Sequence, residues 1–253
     1  MEINWKKAQE SEKKFWKSIY VEKGKDVASY MPVTDAAALA FSGKTLQRFR
    51  HDMNTIRGMV VADVGCGPYG LIRGFQVYAK RAGNPPKKIY GVDSLMDTYL
   101  EFGTLATEPY IEYITAKAES IPLEDGSCDY VYCTNVIDHV EHPGKVLEEC
   151  RRITKTTGEV CFAVHTINYP FNLLGPLLFL IDKNHPYHFN EKYITRLAQR
   201  YFCNVTLTKN VTIFEDHPEF TLANVFQSGD KLRNLKRWLS TFLISTCYFK
   251  CSS

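Results

Sequence analysis

Apolar positions along the chain follow two rhythms. In the first fifty residues Trp5, Ala8, Phe15, Trp16 and Ile19 recur at roughly helical spacing, and Thr34 stands as a candidate cap ahead of Ala37, Ala38 and Phe41, so two helices are expected there. From residue 59 the pattern becomes short apolar runs separated by helical stretches. MVVADV (59–64), IYGVD (89–93), IEYIT (111–115), DYVYCTN (129–135) and EVCFAVH (159–165) predict five strands. Between the last two, Val146, Leu147, Cys150 and Ile153 share one face of a helix with Pro143 near its first turn. Gly158 ends that helix region. A further helix is predicted from Asn190, its cap, through Tyr193, Ile194, Leu197 and Tyr201. Strand then helix, repeated, implies a parallel sheet buried on both faces. Beyond residue 202 the alternation stops: CNVTLTKNV and EFTLANVFQ leave no room for a crossover helix and predict an antiparallel pair at the sheet edge.

No repeat or Pro/Gly/Ser linker divides the chain, so the expected organisation is a helical cover over 1–50, a catalytic-type domain over 51–229 and a tail over 230–253. The tail sets Lys231, Arg233, Lys236 and Arg237 against Leu232, Leu235, Trp238, Leu239, Phe242 and Leu243, which reads as an amphipathic helix. Such a helix docks on its own domain or on a second subunit, or lies peripherally on an anionic membrane. Composition adds few restrictions. Hydrophobic residues make up 45% and charged residues 23%, as in ordinary folded domains. A net charge of +3 is too small to act as a nucleic-acid footprint and favours a small-molecule partner. The eight cysteines contain no C-x-x-C pair and several lie in apolar runs, as expected of reduced core residues in a cytoplasmic protein. The charged N-terminus does not read as a signal peptide, and the longest apolar stretch, residues 170–181, is too short to span a bilayer.

The candidate chemistry begins at the end of the first strand. VVADVGCGPYG places Gly65, Gly67 and Gly70 in a G-x-G-x-x-G array, which lets a ligand approach the backbone. A dinucleotide fits such a loop, and so does any other nucleoside-bearing cofactor. Asp63, two residues before Gly65, would repel a pyrophosphate and attract an ammonium or sulfonium group. Pro68 removes a backbone N–H that a phosphate cradle would use. Asp93 ends the second strand, where an acid can accept hydrogen bonds from both hydroxyls of a ribose. The alternative is that Asp63 caps the turn and Asp93 caps the helix starting near Ser94.

Together with IYGVDSL and the stretch from AKAESIPLEDGSCDYVYCTNVIDHVEHPGK to EVCFAVH, this run resembles the class I S-adenosylmethionine-dependent methyltransferases, in the style of the quinone-biosynthesis enzymes. The resemblance spans residues 59 to about 202. It implies a Rossmann-like, doubly wound α/β fold: a mostly parallel seven-stranded sheet with an antiparallel edge hairpin and helices on both faces. It also implies S-adenosyl-L-methionine as cofactor and S-adenosyl-L-homocysteine as product. By position, Asp63 would meet the methionyl ammonium through the loop, and Gly65, Cys66 and Gly67 would line the methionyl moiety. Asp93 would hold the ribose with Ser94 beside it, Ala118 and Glu119 would fall at the adenine, and Asn135 near the methionyl part. Where the family usually has a Lys-Pro-Gly-Gly turn before its fifth strand, this chain has Lys155, Thr156, Thr157, Gly158, and the resemblance implies a structural turn there.

Methyl transfer from a sulfonium is an in-line displacement, so alignment in a dry site can supply most of its catalysis. An acceptor that must lose a proton would gain from a base. His139, among Asp138, Glu141 and His142, is the candidate, although these residues can equally orient the helix starting at Pro143. The family's occasional divalent-cation site is matched only loosely there, and no metal is expected. A second group, His185, Tyr187 and His188, resembles an element that braces the substrate side of the pocket. The apolar insertion 166–188 suits a lid over a partly apolar acceptor, or an extra helix packed on the core. The expected activity is methyl transfer to a small acceptor. The alternatives are a nicotinamide-dependent oxidoreductase and a non-catalytic S-adenosylmethionine-binding module.

Overall fold

A computed structural model describes residues 5–22, 34–101, 103, 105–168, 187, 189–216, 238, 241 and 243–253. Seven strands form one sheet: β1 (Val60–Val64), β2 (Lys88–Asp93), β3 (Ile111–Thr115), β4 (Cys128–Thr134), β5 (Thr154–Ile167), β6 (Asn204–Thr212) and β7 (Ile244–Ser252). Their order is β3-β2-β1-β4-β5-β7-β6. The first five are parallel, and β7 runs antiparallel to both β5 and β6. The helices are α1 (Trp5–Glu22), α2 (Asp35–Arg48), α3 (Leu71–Ala82), α4 (Met96–Glu101), α5 (Pro143–Ile153), α6 (Glu191–Ala198) and the single turn α7 (Ile213–Asp216).

Successive residues of a strand point to opposite faces, and here both faces are covered. On β4 Val131 and Cys133 join Val146, Leu147 and Ile153 of α5 and Ile194 of α6. Tyr132, one residue over, packs on the other face with Leu46 of α2, Phe49 beyond it, and Leu71 and Phe75 of α3. Burial on both faces explains why the central strands read as continuous apolar runs.

The expected α/β class, the antiparallel edge and the helix caps agree with the structure. Thr34 accepts from the Ala37 amide and Asn190 from the Tyr193 amide, and Pro143 opens α5. Two expectations need correction, and a third, the pairing of β6 with residues 219–227, lies outside the described residues. The described partner of β6 is β7, drawn from the tail. The tail is therefore no helix over 244–252. There the burial pattern shows almost no alternation, because β7 is flanked by β5 and β6 and covered on both faces, and such an apolar run has no helix- or strand-specific period. Phe249 stacks on its cross-strand partner Phe162 with centroids 4.8 Å apart. Finally, residues 155–158 are not a turn: α5 ends at Ile153 and the chain passes directly into β5, with an irregular register opposite Cys128 and Tyr130. The predicted basic face of the tail, 231–237, lies outside the described residues.

The N-terminal helices are fastened to the sheet by polar contacts as well as packing. His51 Nε2 lies 2.8 Å from Glu159 Oε2 and Nδ1 lies 2.9 Å from the Tyr132 hydroxyl, while Lys250 Nζ holds the second Glu159 oxygen at 3.0 Å. A carboxylate only accepts, so Nε2 carries the ring proton and the tyrosine donates to Nδ1. Burial lowers the His51 pKa, more than its hydrogen bond to Glu159 raises it. Helix α2 meets α3 at Gly74, where a Cβ would lie 2.5 Å from the Ala38 carbonyl oxygen and would overlap the Ser42 hydroxyl. A Gly74→Ala variant is expected to lose about 2 kcal/mol in urea denaturation, because the obstructing atom is backbone of a packed helix. An unchanged midpoint would mean that the two helices separate freely.

Candidate cofactor site

The carboxyl ends of β1, β2 and β4 meet at one edge of the sheet, and the glycine loop folds across it. Gly65 N–H and Cys66 N–H donate to the Val92 carbonyl at 2.7 and 3.2 Å, and Gly67 N–H donates to Asp93 Oδ2 at 3.0 Å. Pro68 has no N–H to offer. The amides of 65–67 are thus spent on β2, so this part of the loop does not offer them to a diphosphate. Gly65 and Gly67 both have φ in the left-handed region, +67° and +53°. A side chain at Gly65 would overlap Val136, whereas the space at Gly67 is open to 4 Å. The missing side chain at 65 lets the residues after β4 lie against the loop, and the one at 67 leaves room for a ligand.

Two carboxylates stand beside that space. Asp63 is 1% exposed, and its Oδ2 accepts from the Leu71 amide at 3.1 Å, so this strand residue caps α3, whose own cap position is Gly70. Burial pushes the Asp63 pKa up to about 7, the Leu71 amide opposes this, and the Asp93 charge adds to it. Asp93 is pushed to about 6, first by burial, against the pull of the Leu95 and Gly67 amides, with a minor contribution from Glu12 on α1. Helix α1 lies nearby, where Trp16 meets Tyr99 of α4 edge-on at 6.0 Å. Cys66, between the two acids, has its thiol pushed well up by burial and by both charges, which makes it a poor nucleophile.

Both parts of the capping alternative hold: Asp63 caps α3, and Asp93 Oδ1 accepts from Leu95 N–H at 2.9 Å. They do not use up the carboxylates. Two oxygens offer about four acceptor positions, and Asp93 spends two of them on Gly67 and Leu95. Two desolvated acids close together favour a cation, which lowers the cost of ionising both. S-adenosylmethionine, with an ammonium, a sulfonium and two ribose hydroxyls, fits this donor and acceptor set; a diphosphate does not.

The other expected site residues fall into two groups. Ser94 is exposed just past β2, and Asn135, with φ of +59°, ends β4 with its N–H on the Ala163 carbonyl. Ala118 packs half-buried against the core. Glu119 turns to the loop after β4, where its Oε1 accepts from the Glu141 and His142 amides at 2.8 and 3.2 Å. The Tyr187 hydroxyl donates to the Glu141 carbonyl at 2.8 Å, so 119, 187 and the His139 loop are brought together. His185, His188 and the insertion from 169 to 186 lie outside the described residues. Sequence reasoning missed Val136 as the counterpart of Gly65, and no local signal marks it, since the contact joins segments 71 residues apart. Among the described residues no three His, Cys, Asp or Glu side chains gather as metal ligands, and no helix is long and apolar enough to cross a membrane.

Residues 62–162 match the family model for a methyltransferase domain. A tRNA U34 carboxymethyltransferase of Campylobacter concisus is 34% identical over 107 residues, covering 42% of this chain and 35% of the relative. A ubiquinone biosynthesis O-methyltransferase of Aliivibrio fischeri is 30% identical over 147 residues, covering 56% of this chain and 60% of the relative. The chain thus spans between about a third and three fifths of the length of these relatives. A Haemonchus contortus N-methyltransferase, solved with phosphomonomethylethanolamine and S-adenosylhomocysteine, shares the fold over 90% of this chain and 58% of its own, with a TM-score of 0.57 at 17% identity. The family match lies on the strands and loops that build the acidic edge, so residues 62–162 of this chain are similar to a methyltransferase domain.

Proposed function

We propose that the chain transfers the methyl group of S-adenosylmethionine to a small, partly apolar acceptor. The observation that carries this reading is the pairing of two buried carboxylates with a glycine loop whose amides at 65–67 are already committed. When bound, the cofactor supplies an electrophilic methyl group on a sulfonium centre. Asp63 holds the methionyl ammonium through the loop, with Gly65, Cys66 and Gly67 lining that end. Asp93 accepts from the ribose hydroxyls beside Ser94, Ala118 and Glu119 stand at the adenine, and Asn135 stands near the methionyl group. Tyr187, with His185 and His188, braces the acceptor side.

Support for a small acceptor comes from the ubiquinone O-methyltransferase relative and from the net charge of +3, too low for a phosphate-backbone partner. The tRNA-modifying relative aligns over a shorter stretch. All eight cysteines are free and seven are buried, which supports a reducing, cytoplasmic setting.

The test is calorimetry with S-adenosylhomocysteine, NAD and NADP, followed by transfer of labelled methyl groups to a panel of phenols, catechols, amines and bulk tRNA. Binding of S-adenosylhomocysteine alone, with label entering a small acceptor, is the expected result. Binding of NAD instead would overturn the cofactor. Label appearing in tRNA would overturn the acceptor class, and tight binding with no transfer would leave a non-catalytic module.

A further inference from the structure

Resting on that reading, we infer that Glu12, on helix α1, is a third carboxylate of the cofactor site and shares the ribose hydroxyls with Asp93. The chain of contacts that sets it there is short. Leu95 N–H donates to Asp93 Oδ1, and the amides of Thr98 and Tyr99 donate to the Leu95 carbonyl at 2.9 and 3.2 Å, so Tyr99 stands roughly a turn and a half beyond Asp93. Trp16 of α1 meets the Tyr99 ring edge-on, with centroids 6.0 Å apart and planes at 80°. Glu12 precedes Trp16 by four residues, so it lies on the same face of α1, about 6 Å along the axis. It points to the Asp93 end of that contact: its charge is felt at Asp93, whose pKa it helps to raise.

The pattern of α1 speaks against an ordinary surface role. Side chains three or four residues apart are neighbours on a helix and can pair there. Glu10 has Lys6, Lys7, Lys13 and Lys14 at those distances. Glu12 has Ala8, Gln9, Phe15 and Trp16, and none of the five lysines of the helix. Among the described residues no hydrogen bond or ion pair engages Glu12, whose side chain is exposed.

A carboxylate aimed at a second, desolvated carboxylate is repelled unless a donor or a cation lies between them. The vicinal diol of a nucleoside is such a donor. Asp93 retains about two acceptor positions after Gly67 and Leu95 are served, and Glu12 brings about four. The two ribose O–H groups can therefore be divided between the acids, and α1 is fastened by the ligand as well as by Trp16.

Calorimetry at pH 8 tests this with Glu12→Gln, which removes the charge and keeps the size and helix propensity of the side chain. The variant should bind S-adenosylhomocysteine at least fivefold more weakly than wild type, and Glu10→Gln should stay within twofold. Trp16→Ala should bring a similar loss. Adding Glu12→Gln to it should cost nothing further, because the undocked helix no longer delivers the carboxylate. With 5′-methylthioadenosine and its 2′-deoxy and 3′-deoxy forms as probes, the Glu12→Gln loss should persist on the parent and vanish on one deoxy form. Amide hydrogen exchange over residues 5–22 should slow when S-adenosylhomocysteine is added to wild type, and not in Glu12→Gln. Equal affinities for wild type and Glu12→Gln, a matching loss in Glu10→Gln, or a loss that survives on both deoxy forms would overturn the assignment. Failure of the wild type to bind S-adenosylhomocysteine would defeat the cofactor reading and this assignment together, whereas wild-type binding indifferent to Glu12 would defeat the assignment alone.

Discussion

An Asp93→Ala variant binds S-adenosylhomocysteine at least tenfold more weakly than the wild type while keeping its far-ultraviolet circular dichroism spectrum. Two effects act in the same direction. The carboxylate is the acceptor expected at the ribose hydroxyls, and a charge-assisted hydrogen bond contributes roughly 1.5–3 kcal/mol, which is more than a tenfold change in affinity. It also anchors the loop, because Gly67 N–H and Leu95 N–H both donate to it. The two effects separate in Asp93→Asn, which keeps one oxygen for the loop but loses charge and acceptor capacity toward the sugar. That variant should fall between wild type and alanine. Calorimetric constants equal for wild type and Asp93→Ala would reject the ribose role, and a collapsed circular dichroism spectrum would show that the residue serves the fold first.

Asp63→Asn should separate stability from binding in opposite directions. In the ligand-free protein burial raises the Asp63 pKa from 3.8 to about 7. The folded state therefore holds a proton that the unfolded chain has already released, and this stabilisation, complete below pH 3.8, is lost as pH rises to 7. At pH 8 the wild type carries the full penalty, of the order of 2–4 kcal/mol. The asparagine variant lacks it, so its Tm without ligand should exceed that of the wild type at pH 8, with the gap closing towards pH 4. Added S-adenosylhomocysteine should raise the wild-type Tm and leave the variant almost unmoved, because the ammonium has lost its counter-charge. Wild-type affinity should follow the same ionisations. With Asp63 near 7 and Asp93 near 6, lowering the pH from 8 to 5.5 should weaken binding at least tenfold. A flat affinity over that interval, or a variant less stable than wild type at pH 8, would contradict the two-acid account.

Much of the fold was legible because its parallel strands obey local rules. The third predicted strand, 111–115, coincides with β3, and the caps at Thr34 and Asn190 depend on residues three positions apart. The edge was less legible. Residues 244–252 hold Ile244, Thr246, Tyr248 and Phe249, good strand formers, yet they follow an amphipathic stretch and their both-sided burial removes the alternation that would have marked them. In the site, Asp63, Gly65, Gly67 and Asp93 could be picked out because a strand end, a glycine array and an acid at fixed spacing form a local signal. Glu119 was placed at the adenine by resemblance, and its hold on the 141–142 amides depends on where another segment passes.

The primary structure by itself determined which residues could meet a cation, since the order of strand, acid and glycine loop places Asp63 and Asp93 at strand ends whatever the rest of the chain does. Only the tertiary structure decided how those acids behave. Burial raises their pKa values, the carbonyl of Val92 and the carboxylate of Asp93 consume the loop amides, and β7 reaches across the tail to pair with β5 and β6. The physical reason is range. Turn geometry and helix capping act over a few residues and are written locally, whereas desolvation and strand pairing depend on what the rest of the chain brings into contact, and sequence spacing does not record that.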